Sequence, residues 1–340
     1  MGAGITGLSA AYFLKDKLSV KVLEASGQVG GVIQTQSQGR FVLEQGPDCF
    51  MNQKPWGLEL ALELGLQSEL IESKDFQRRV FVLRNGSFET SDHEDKAVAE
   101  FLGNRARVGV NPNAFLTFKK GMQTWPKALW DNLGDRVILG AKAVSMDVAQ
   151  KIITCESGLQ IQAKNILLTL PAHESAKLLG LSWPHFKTTQ TACVHLAYPR
   201  NAVEHPLDAF GLIIPASENR KISAMTFVSS KFDHRCPEDF VLIRVFLKGE
   251  FSDARLEVQD LLKPKCAPVL EAGYRLTYAD PKYSSDHEAQ VLAIEKDLPE
   301  GIFLAGSPYR GVGISDCVYQ ARQVSDMIGV HGCSLLIPAS

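Results

Sequence analysis

Three glycines and one carboxylate near the start of the chain have the types and spacing needed to bind a dinucleotide. Gly2, Gly4 and Gly7 form the pattern G-x-G-x-x-G, and apolar, helix-forming residues follow directly. Such glycines allow a tight turn close to a pyrophosphate, and the next helix offers free N–H groups to the phosphates. A strand at 19–23 then ends in Glu24, about 20 residues after the loop, where a ribose hydroxyl is bound. Loop, strand and acid together favour dinucleotide binding over an ordinary glycine-rich turn.

This loop needs a strand before it and parallel strands beside it. In dinucleotide-binding proteins the preceding strand leads directly into the loop and usually lies at the centre of the sheet. The printed sequence opens at Met1, one residue before the loop. We therefore expect that the start lies upstream or that the chain is a fragment. A lost central strand would cost more than the ~5–15 kcal/mol that stabilises a typical domain.

Composition narrows the range of functions. The chain has 340 residues, 45% hydrophobic and 22% charged, which suffices for two domains with cores of their own. A net charge of −2 without a basic block argues against a nucleic-acid partner. The seven cysteines form no C-x-x-C pair, which predicts reduced thiols, no metal site and a cytoplasmic location. No apolar run approaches the ~18 residues of a membrane span.

A second glycine pair extends the nucleotide pattern. Gly30 and Gly31 are followed by a predicted strand at 41–44 and by Gly46-Pro47-Asp48. Each part alone would be interpreted as a hairpin turn. Because both parts follow Glu24 closely, together they indicate a chain that crosses over a bound nucleotide. They favour a flavin dinucleotide over a nicotinamide dinucleotide.

Five stretches of the sequence resemble the flavin-containing amine oxidase superfamily, and within it the porphyrinogen oxidases. Residues 305–317, AGSPYRGVGISDC, carry the most specific resemblance, to the pattern AGNxYRGVGIPDC. The other stretches are 2–11, 44–47, 120–126 (KGMQTWP) and 209–215 (AFGLIIP). The resemblance covers most of the chain.

This resemblance implies a two-domain α/β flavoprotein, with a Rossmann-like FAD/NAD(P)-binding domain and a mixed-sheet substrate domain. The FAD-binding domain would comprise 1–86, 119–178 and 287–330, and the substrate domain 179–286. Alternating patterns at 192–198, 211–214, 223–228 and 241–246 predict one mixed sheet in the latter. Residues 87–118 would be the shortened remnant of a helical region that roofs the substrate and contacts the membrane in the family.

The resemblance also implies the positions that hold FAD. The pyrophosphate would lie against Gly2, Ala3, Gly4, Ile5, Thr6 and Gly7, and the ribose against Glu24. The ribityl chain and ring would lie along Val32, Gly46, Pro47, Asp48 and Cys49, with Val144 on the adenine side. The ring would be capped by Gly306, Val312, Gly313 and Ile314, where the dipole of the last helix stabilises negative charge. The alternative for Val312 and Ile314 is plain core packing.

The implied substrate is a flat apolar macrocycle with propionate arms. Phe210, Ile213 and Leu247 match positions that sandwich it, although such residues on strands more often belong to a core. Arg79 is the candidate for pairing a propionate, because a planar guanidinium suits a carboxylate. Arg78 could replace it, and either arginine could instead be solvated. The absence of a catalytic triad agrees with a flavin enzyme, whose cofactor carries the redox chemistry.

Several functions remain open at this stage. The first is oxidation of protoporphyrinogen with oxygen as acceptor, and the same reaction on coproporphyrinogen follows closely. Another superfamily oxidase, such as an amine oxidase or carotenoid desaturase, is a further alternative. A non-catalytic remnant is the last, because the first strand and most of the roof are missing. The resemblance leaves the oligomeric state open and allows peripheral contact with a membrane.

Overall fold

Parallel strands flanked by helices form the part of the molecule that contains the glycine loop. The computed structural model describes residues 1–74, 79–91, 115–184 and 186–331. Strand β1 (Val22–Leu23) pairs in parallel with β9 (Val137–Ile138), and β13 (Ile166–Leu168) pairs in parallel with β19 (Ile302–Leu304). We call these strands and their helices the nucleotide lobe.

Met1 and Gly2 lie between the two strand pairs of the nucleotide lobe. The Gly2 N–H donates to the Leu23 carbonyl at 2.8 Å. On the other side, the Met1 amino group donates to the Leu167 carbonyl at 2.6 Å. The chain then enters helix α1 (Ile5–Leu14) at Gly4. The glycine loop is thus fixed by hydrogen bonds to β1 and β13.

Helices and small antiparallel sheets cover the parallel strands. The helices after α1 are α2 (Pro55–Glu63), α3 (Thr124–Leu133), α4 (Ala172–Leu179), α5 (Val228–Lys231), α6 (Phe251–Leu262), α7 (His287–Lys296) and α8 (Ile314–His331). The small-sheet strands are β2 (Thr35–Gln38), β3 (Phe41–Glu44), β4 (Phe50–Met51), β5 (Leu70–Glu72), β8 (Phe115–Phe118), β10 (Ala143–Asp147), β11 (Ile152–Cys155) and β12 (Gln160–Gln162). Helix α1 is apolar on all sides and packs against α8 and α3, as expected for a helix inside a core.

A seven-stranded mixed sheet forms the other part of the molecule, which we call the sheet lobe. Its order is β18-β14-β17-β16-β15-β6-β7. The ranges are β6 (Val80–Arg84), β7 (Ser87–Ser91), β14 (Thr188–Pro199), β15 (Gly211–Ile213), β16 (Ile222–Phe227), β17 (Phe240–Leu247) and β18 (Leu270–Pro281). Only β15 and β6 pair in parallel; the other described pairs of this sheet are antiparallel.

The two faces of this sheet have different neighbours. One face packs on α6 through residues such as Val194, Ile243 and Val245. Alternation along the strands puts Cys193, His195, Ala197, Leu242 and Arg244 on the other face. There Leu43 of the nucleotide lobe packs against Ala197 and Leu242. This second face therefore looks toward the nucleotide lobe, and we call it the inner face.

The predicted fold class is confirmed, while two details of the prediction differ from the structure. The predicted boundary at residue 86 falls in the turn between β6 and β7, and both strands belong to the seven-stranded sheet. Strand β18 was not predicted. Of the predicted roof remnant, 92–114 lies outside the described residues, as does Arg78. Among the described helices, none is long and apolar enough to cross a membrane.

Candidate flavin and substrate site

The glycine loop has the shape that a pyrophosphate requires. A Cβ on Gly7 would come within 2.0 Å of the Gly2 carbonyl oxygen, so the loop closes only without a side chain there. A Cβ on Gly4 would meet no protein atom within 4 Å, and no side chain caps α1. Gly4 therefore leaves open space beside the free N–H groups of the first helical turn, which fits the predicted phosphates.

Glu24 lies directly against this loop. Its Oε2 accepts a hydrogen bond from the Ala3 N–H at 2.7 Å. Its Oε1 accepts from the backbone N–H and hydroxyl of Ser26 at 2.9 and 2.8 Å. The strand β1 thus delivers the carboxylate to the place where the ribose is expected, and the neighbouring residues fix its orientation.

Two exposed valines flank the predicted path of the nucleotide. Val32 is 45% exposed and Val144 is 46% exposed. Val144 lies at a register shift in β10. A Cβ on Gly46 would come within 1.8 Å of the Val32 carbonyl oxygen, so these two backbone segments touch. The structure therefore brings Val32 and the Gly46-Pro47 segment together.

The segment before α8 supplies the other side of the predicted ring site. Gly306 has a φ of +118°, and its N–H donates to Gln320 at 3.0 Å. Val312 is half-buried and Gly313 is exposed directly before the helix. The side chain of Ile314 lies in the core, which agrees with the packing alternative for this residue. Gly313 is therefore the exposed residue of the predicted ring segment, and the first turn of α8 carries Asp316, which pairs with Lys54 at 2.5 Å.

Asp48 and Cys49 are bound to a lysine of the sheet lobe. Lys231 Nζ donates to Asp48 Oδ2 at 2.9 Å and lies 3.4 Å from Cys49 Sγ. Burial alone would raise the pKa of Asp48. The positive charges of Lys231 and, to a smaller extent, Arg244 outweigh this effect and hold the pKa of Asp48 below its ordinary value. Burial, with Asp48 beside it, raises the pKa of Cys49 to about 12, so the thiol stays protonated. The predicted ring segment is therefore anchored by an ion pair between the lobes.

Aromatic and basic side chains of the inner face continue from this ion pair. The Arg244 guanidinium lies 4.8 Å from the centre of the Phe246 ring and 5.4 Å from that of Tyr274. His195 pairs with Arg244 in register and stacks on Tyr274, with ring centres 5.8 Å apart. Burial, then the Arg244 charge, lowers the pKa of His195 to about 3, so it is neutral at physiological pH.

The predicted substrate residues do not all come together. Phe210 is buried against Phe115, with ring centres 6.2 Å apart. Ile213 packs with Val82 away from the α6 face. Leu247 instead packs toward α6. It lies two residues after Val245 in β17 and therefore on the same face of the sheet as Val245, which is opposite to the face of Ile213. The structure therefore separates Leu247 from the other two residues.

Arg79 lies at the start of β6 and already has a carboxylate partner. Its Nη2 donates to Asp208 Oδ2 at 3.0 Å, and both side chains are about one third exposed. The same residue fixes Phe210, whose N–H donates to the Arg79 carbonyl at 3.0 Å. Arg79 thus positions Phe210 through its backbone, and a substrate carboxylate would have to compete with Asp208 for its guanidinium.

The stretch KGMQT has a structural explanation. Gly121 has a φ of +93°, and a Cβ there would come within 2.9 Å of both Thr35 and Glu44. The next N–H, of Met122, donates to the buried Glu44 at 2.8 Å. Burial raises the pKa of Glu44 to about 7, although Arg235, Thr35 and Met122 each oppose this effect. The motif therefore packs the third helix of the nucleotide lobe onto β2 and β3.

Sequence reasoning missed four residues of the inner-face cluster, namely Lys231, His195, Arg244 and Tyr274. One signal was available: Arg244 is the only charged residue among the eight of β17, FVLIRVFL. A charge inside an apolar strand demands a partner. Within the described part of the chain, no group of three or more His, Cys, Asp or Glu side chains could hold a metal ion.

The comparisons with known proteins place this chain in a family. The flavin containing amine oxidoreductase family matches residues 5–114 and 96–260, and the chain belongs to that family. Membership implies a flavin cofactor, which agrees with the open space at Gly4 and the position of Glu24.

Its relatives in this family include porphyrinogen oxidases. Coproporphyrinogen III oxidase of Bacillus subtilis (strain 168) is 21% identical, over 96% of this chain and 97% of that protein. The chloroplastic protoporphyrinogen oxidase of Oryza sativa subsp. japonica is 26% identical, over 62% of this chain and 47% of the plant protein. The Bacillus alignment runs over 457 positions, more than the 340 residues here, so that protein has internal residues without a counterpart.

A solved structure supports the fold. A protein from Exiguobacterium sp. 255-15, provisionally named a protoporphyrinogen oxidase, superposes with a TM-score of 0.82 at 20% identity. The superposition covers 97% of this chain and 98% of that one. At this identity the likeness establishes the shared fold.

Proposed function

We propose that this protein is an FAD-dependent porphyrinogen oxidase that takes protoporphyrinogen IX to protoporphyrin IX with oxygen as the acceptor. The observation that carries the proposal is the face-to-face arrangement of the two lobes. The glycine loop, Glu24 and the N-terminus of α8 form a dinucleotide site, and the inner face beside it presents Phe246, Tyr274 and Arg244. Aromatic side chains with a guanidinium suit a flat apolar macrocycle that has carboxylate arms.

The roles of the residues follow from this arrangement. Bound flavin would supply the redox chemistry, as the acceptor of hydride from the macrocycle in three successive two-electron steps, with oxygen reoxidising it after each step. The protein binds the pyrophosphate at Gly2 to Gly7 and the ribose at Glu24. The Lys231–Asp48 ion pair holds the segment at Gly46 to Cys49 in place against the sheet lobe. Phe210 and Ile213 supply apolar contact area at the edge of the inner face.

Coproporphyrinogen III is the second candidate substrate. The Bacillus relative named for it aligns along 97% of its own length, whereas the rice protoporphyrinogen oxidase aligns along 47%. The two substrates differ in side chains at the rim of the macrocycle, so the flavin chemistry is the same for both.

Initial rates with the two substrates test the proposal. The FAD-loaded protein is mixed with each porphyrinogen in air, and formation of the coloured, fluorescent porphyrin is followed. We expect kcat/KM for protoporphyrinogen IX to exceed that for coproporphyrinogen III. A higher kcat/KM for coproporphyrinogen III would identify coproporphyrinogen III as the substrate. Rates equal to the non-enzymatic oxidation for both substrates would reject the porphyrinogen oxidase altogether.

A further inference from the structure

Three buried polar atoms of the inner face have no hydrogen-bond partner of good geometry among the residues that the structure describes, although Tyr274 and Arg244 also interact with each other and with Cys193. They are Arg244 Nε, His195 Nδ1 and the Tyr274 hydroxyl. Arg244 is 5% exposed and His195 is 1% exposed. The three residues lie on the adjacent strands β17, β14 and β18 and contact one another through their rings and the guanidinium. Buried polar groups are nearly always hydrogen-bonded, so three unpaired groups on one face need an explanation.

The charges at this place do not balance either. Lys231 and Asp48 neutralise each other in their 2.9 Å ion pair. Arg244 has no carboxylate within ion-pair distance among the described residues, while its neighbours His195 and Tyr274 are neutral. One positive charge therefore remains buried without its own counter-ion, an arrangement that is costly unless a ligand completes it.

We propose that Arg244, Tyr274 and His195 form the binding site for one carboxylate group of the substrate. The guanidinium Nε–H and the tyrosine hydroxyl are donors, and the imidazole can donate from one nitrogen. A carboxylate has the acceptor oxygens that these donors need and carries one negative charge, which matches the excess of one positive charge. A phosphate monoester would bring close to two charges.

The site borders the place expected for the flavin ring. Strand β17, which holds Arg244, packs against α5, and Lys231 of α5 donates to Asp48 at 2.9 Å. Asp48 belongs to the segment predicted to run along the ring. A carboxylate held by Arg244 would therefore anchor a substrate beside the flavin. The identification of this carboxylate as a porphyrinogen propionate rests on the proposed function. The inference that the ligand group is a carboxylate rests on these three residues alone.

Binding of a porphyrin with and without free carboxylates tests this site. The FAD-loaded protein is titrated with protoporphyrin IX and with its dimethyl ester, and the Soret band is followed. We expect Arg244→Gln to lower the preference for the free acid over the ester by about tenfold, because a hydrogen bond to a charged group is lost. Arg275→Gln is the matched control, since Arg275 is exposed, binds Glu250 at 3.1 Å and packs on Phe251 of the α6 face.

A second variant keeps the test valid where Arg244→Gln fails to fold. Tyr274→Phe removes only the unpaired hydroxyl, and we expect it to lower the same preference by a smaller factor. An unchanged preference in a folded Arg244→Gln protein would overturn the carboxylate site. A folded Arg244→Gln protein whose bound flavin has a lowered midpoint potential, but whose preference for the free acid is unchanged, would also overturn it. The Arg244 charge would then stabilise the reduced flavin and would not bind a substrate carboxylate.

Free propionate separates this inference from the proposed function. We expect propionate to raise the melting temperature of the wild-type protein and not that of Arg244→Gln. If it does so while neither porphyrin binds, the carboxylate site stands and the porphyrinogen assignment fails. If porphyrins bind in a manner independent of Arg244 and propionate has no effect, the proposed function stands and the carboxylate site is rejected.

Discussion

At the scale of single residues, two glycines of the same loop have separable tasks. Gly7 makes room for the Gly2 carbonyl oxygen, which a Cβ would approach to 2.0 Å, whereas a Cβ on Gly4 would meet only open space. We expect Gly7→Ala to destabilise the flavin-free protein by about 1–3 kcal/mol, as other overpacking substitutions do. Gly4→Ala should leave that stability unchanged and weaken flavin binding, because its methyl group occupies the space of the pyrophosphate.

Urea unfolding without flavin, together with flavin retention on a desalting column, distinguishes the two variants. Equal losses of stability in both would show that Gly4 serves the fold of the loop. Full flavin retention by Gly4→Ala would show that the phosphates lie elsewhere.

Glu44 gives the stability of the protein a defined pH dependence. Its pKa is raised from 4.5 to about 7, so the folded protein binds a proton more tightly there than the unfolded chain does. This contribution to stability is complete below pH 4.5 and is lost as the pH rises through 7. Glu44→Gln cannot titrate. We therefore expect wild-type stability minus variant stability to fall with rising pH in this window, by at most about 1.4 kcal/mol per pH unit.

Unfolding free energies measured at several pH values between 4 and 8 check this expectation. Taking the difference between the two proteins removes the opposing contribution of His195, whose pKa is lowered. A difference that is flat or rises with pH would mean that Arg235 keeps Glu44 ionised throughout.

The sequence predicts candidate site residues that lie close together in the chain and misses those that only the sheet brings together. Gly2, Gly4, Gly7 and Glu24 form a local pattern, and in the structure the Glu24 carboxylate contacts the loop at Ala3. Arg244 and Tyr274 meet only through the pairing of β17 and β18 with β14. A local sequence pattern does not specify which strands pair with one another. The buried cluster of Arg244 and Tyr274 could therefore not be predicted from the sequence pattern.

At the scale of elements, the structure confirms the predicted mixed sheet and shows where a weak strand signal failed. The segments predicted at 192–198, 211–214, 223–228 and 241–246 overlap with β14, β15, β16 and β17. Strand β18 was missed, in part because Gly273 interrupts its apolar pattern. In the structure this glycine packs under the Phe251 ring, where a Cβ would come within 3.1 Å. The glycine thus marks a packing contact, a common role for glycine in strands.

The contact between α2 and α8 depends on another glycine. A Cβ on Gly57 would come within 2.6 Å of Ser315 Oγ and 3.2 Å of the Trp125 ring. We expect Gly57→Ala to lower the unfolding free energy by about 1–3 kcal/mol and to displace the first turn of α8. Gly329→Ala is the matched control: it also lies in a helix, and its Cβ would meet no atom within 4 Å.

Thermal unfolding of the two alanine variants measures this difference. Because alanine favours a helix over glycine, Gly329→Ala should melt at the same or a higher temperature than the wild type. A Gly57→Ala protein as stable as the wild type would show that α2 and α8 can separate without cost.

At the scale of the whole molecule, the buried Asp48–Lys231 pair connects the two lobes. Asp48→Asn leaves Lys231 and Arg244 as two buried cations, whereas Lys231→Met leaves Asp48 near Arg244. We therefore expect Asp48→Asn to lower the unfolding free energy by about 3–5 kcal/mol, more than Lys231→Met does. The loss of unfolding free energy in the double variant should be smaller than the sum of the losses in the two single variants, by roughly 1 kcal/mol or more.

A double-mutant cycle in urea measures this coupling. Glu204→Gln is the control, because it breaks an exposed pair with Lys265 of similar length, 2.9 Å, and should change nothing measurable. Additive effects of the two buried changes would show that the ion pair does not hold the lobes together.

The central claim is that this flavin site oxidises a porphyrinogen, and an anaerobic half-reaction tests it most directly. The purified chain is loaded with FAD, freed of unbound flavin and mixed with protoporphyrinogen IX without oxygen. We predict that the yellow flavin band bleaches, because one bound flavin takes up two of the six electrons that porphyrin formation releases, and that the band returns and porphyrin accumulates when air is admitted. A chain that retains no flavin, or whose bound flavin keeps its colour with both protoporphyrinogen and coproporphyrinogen, would contradict the account.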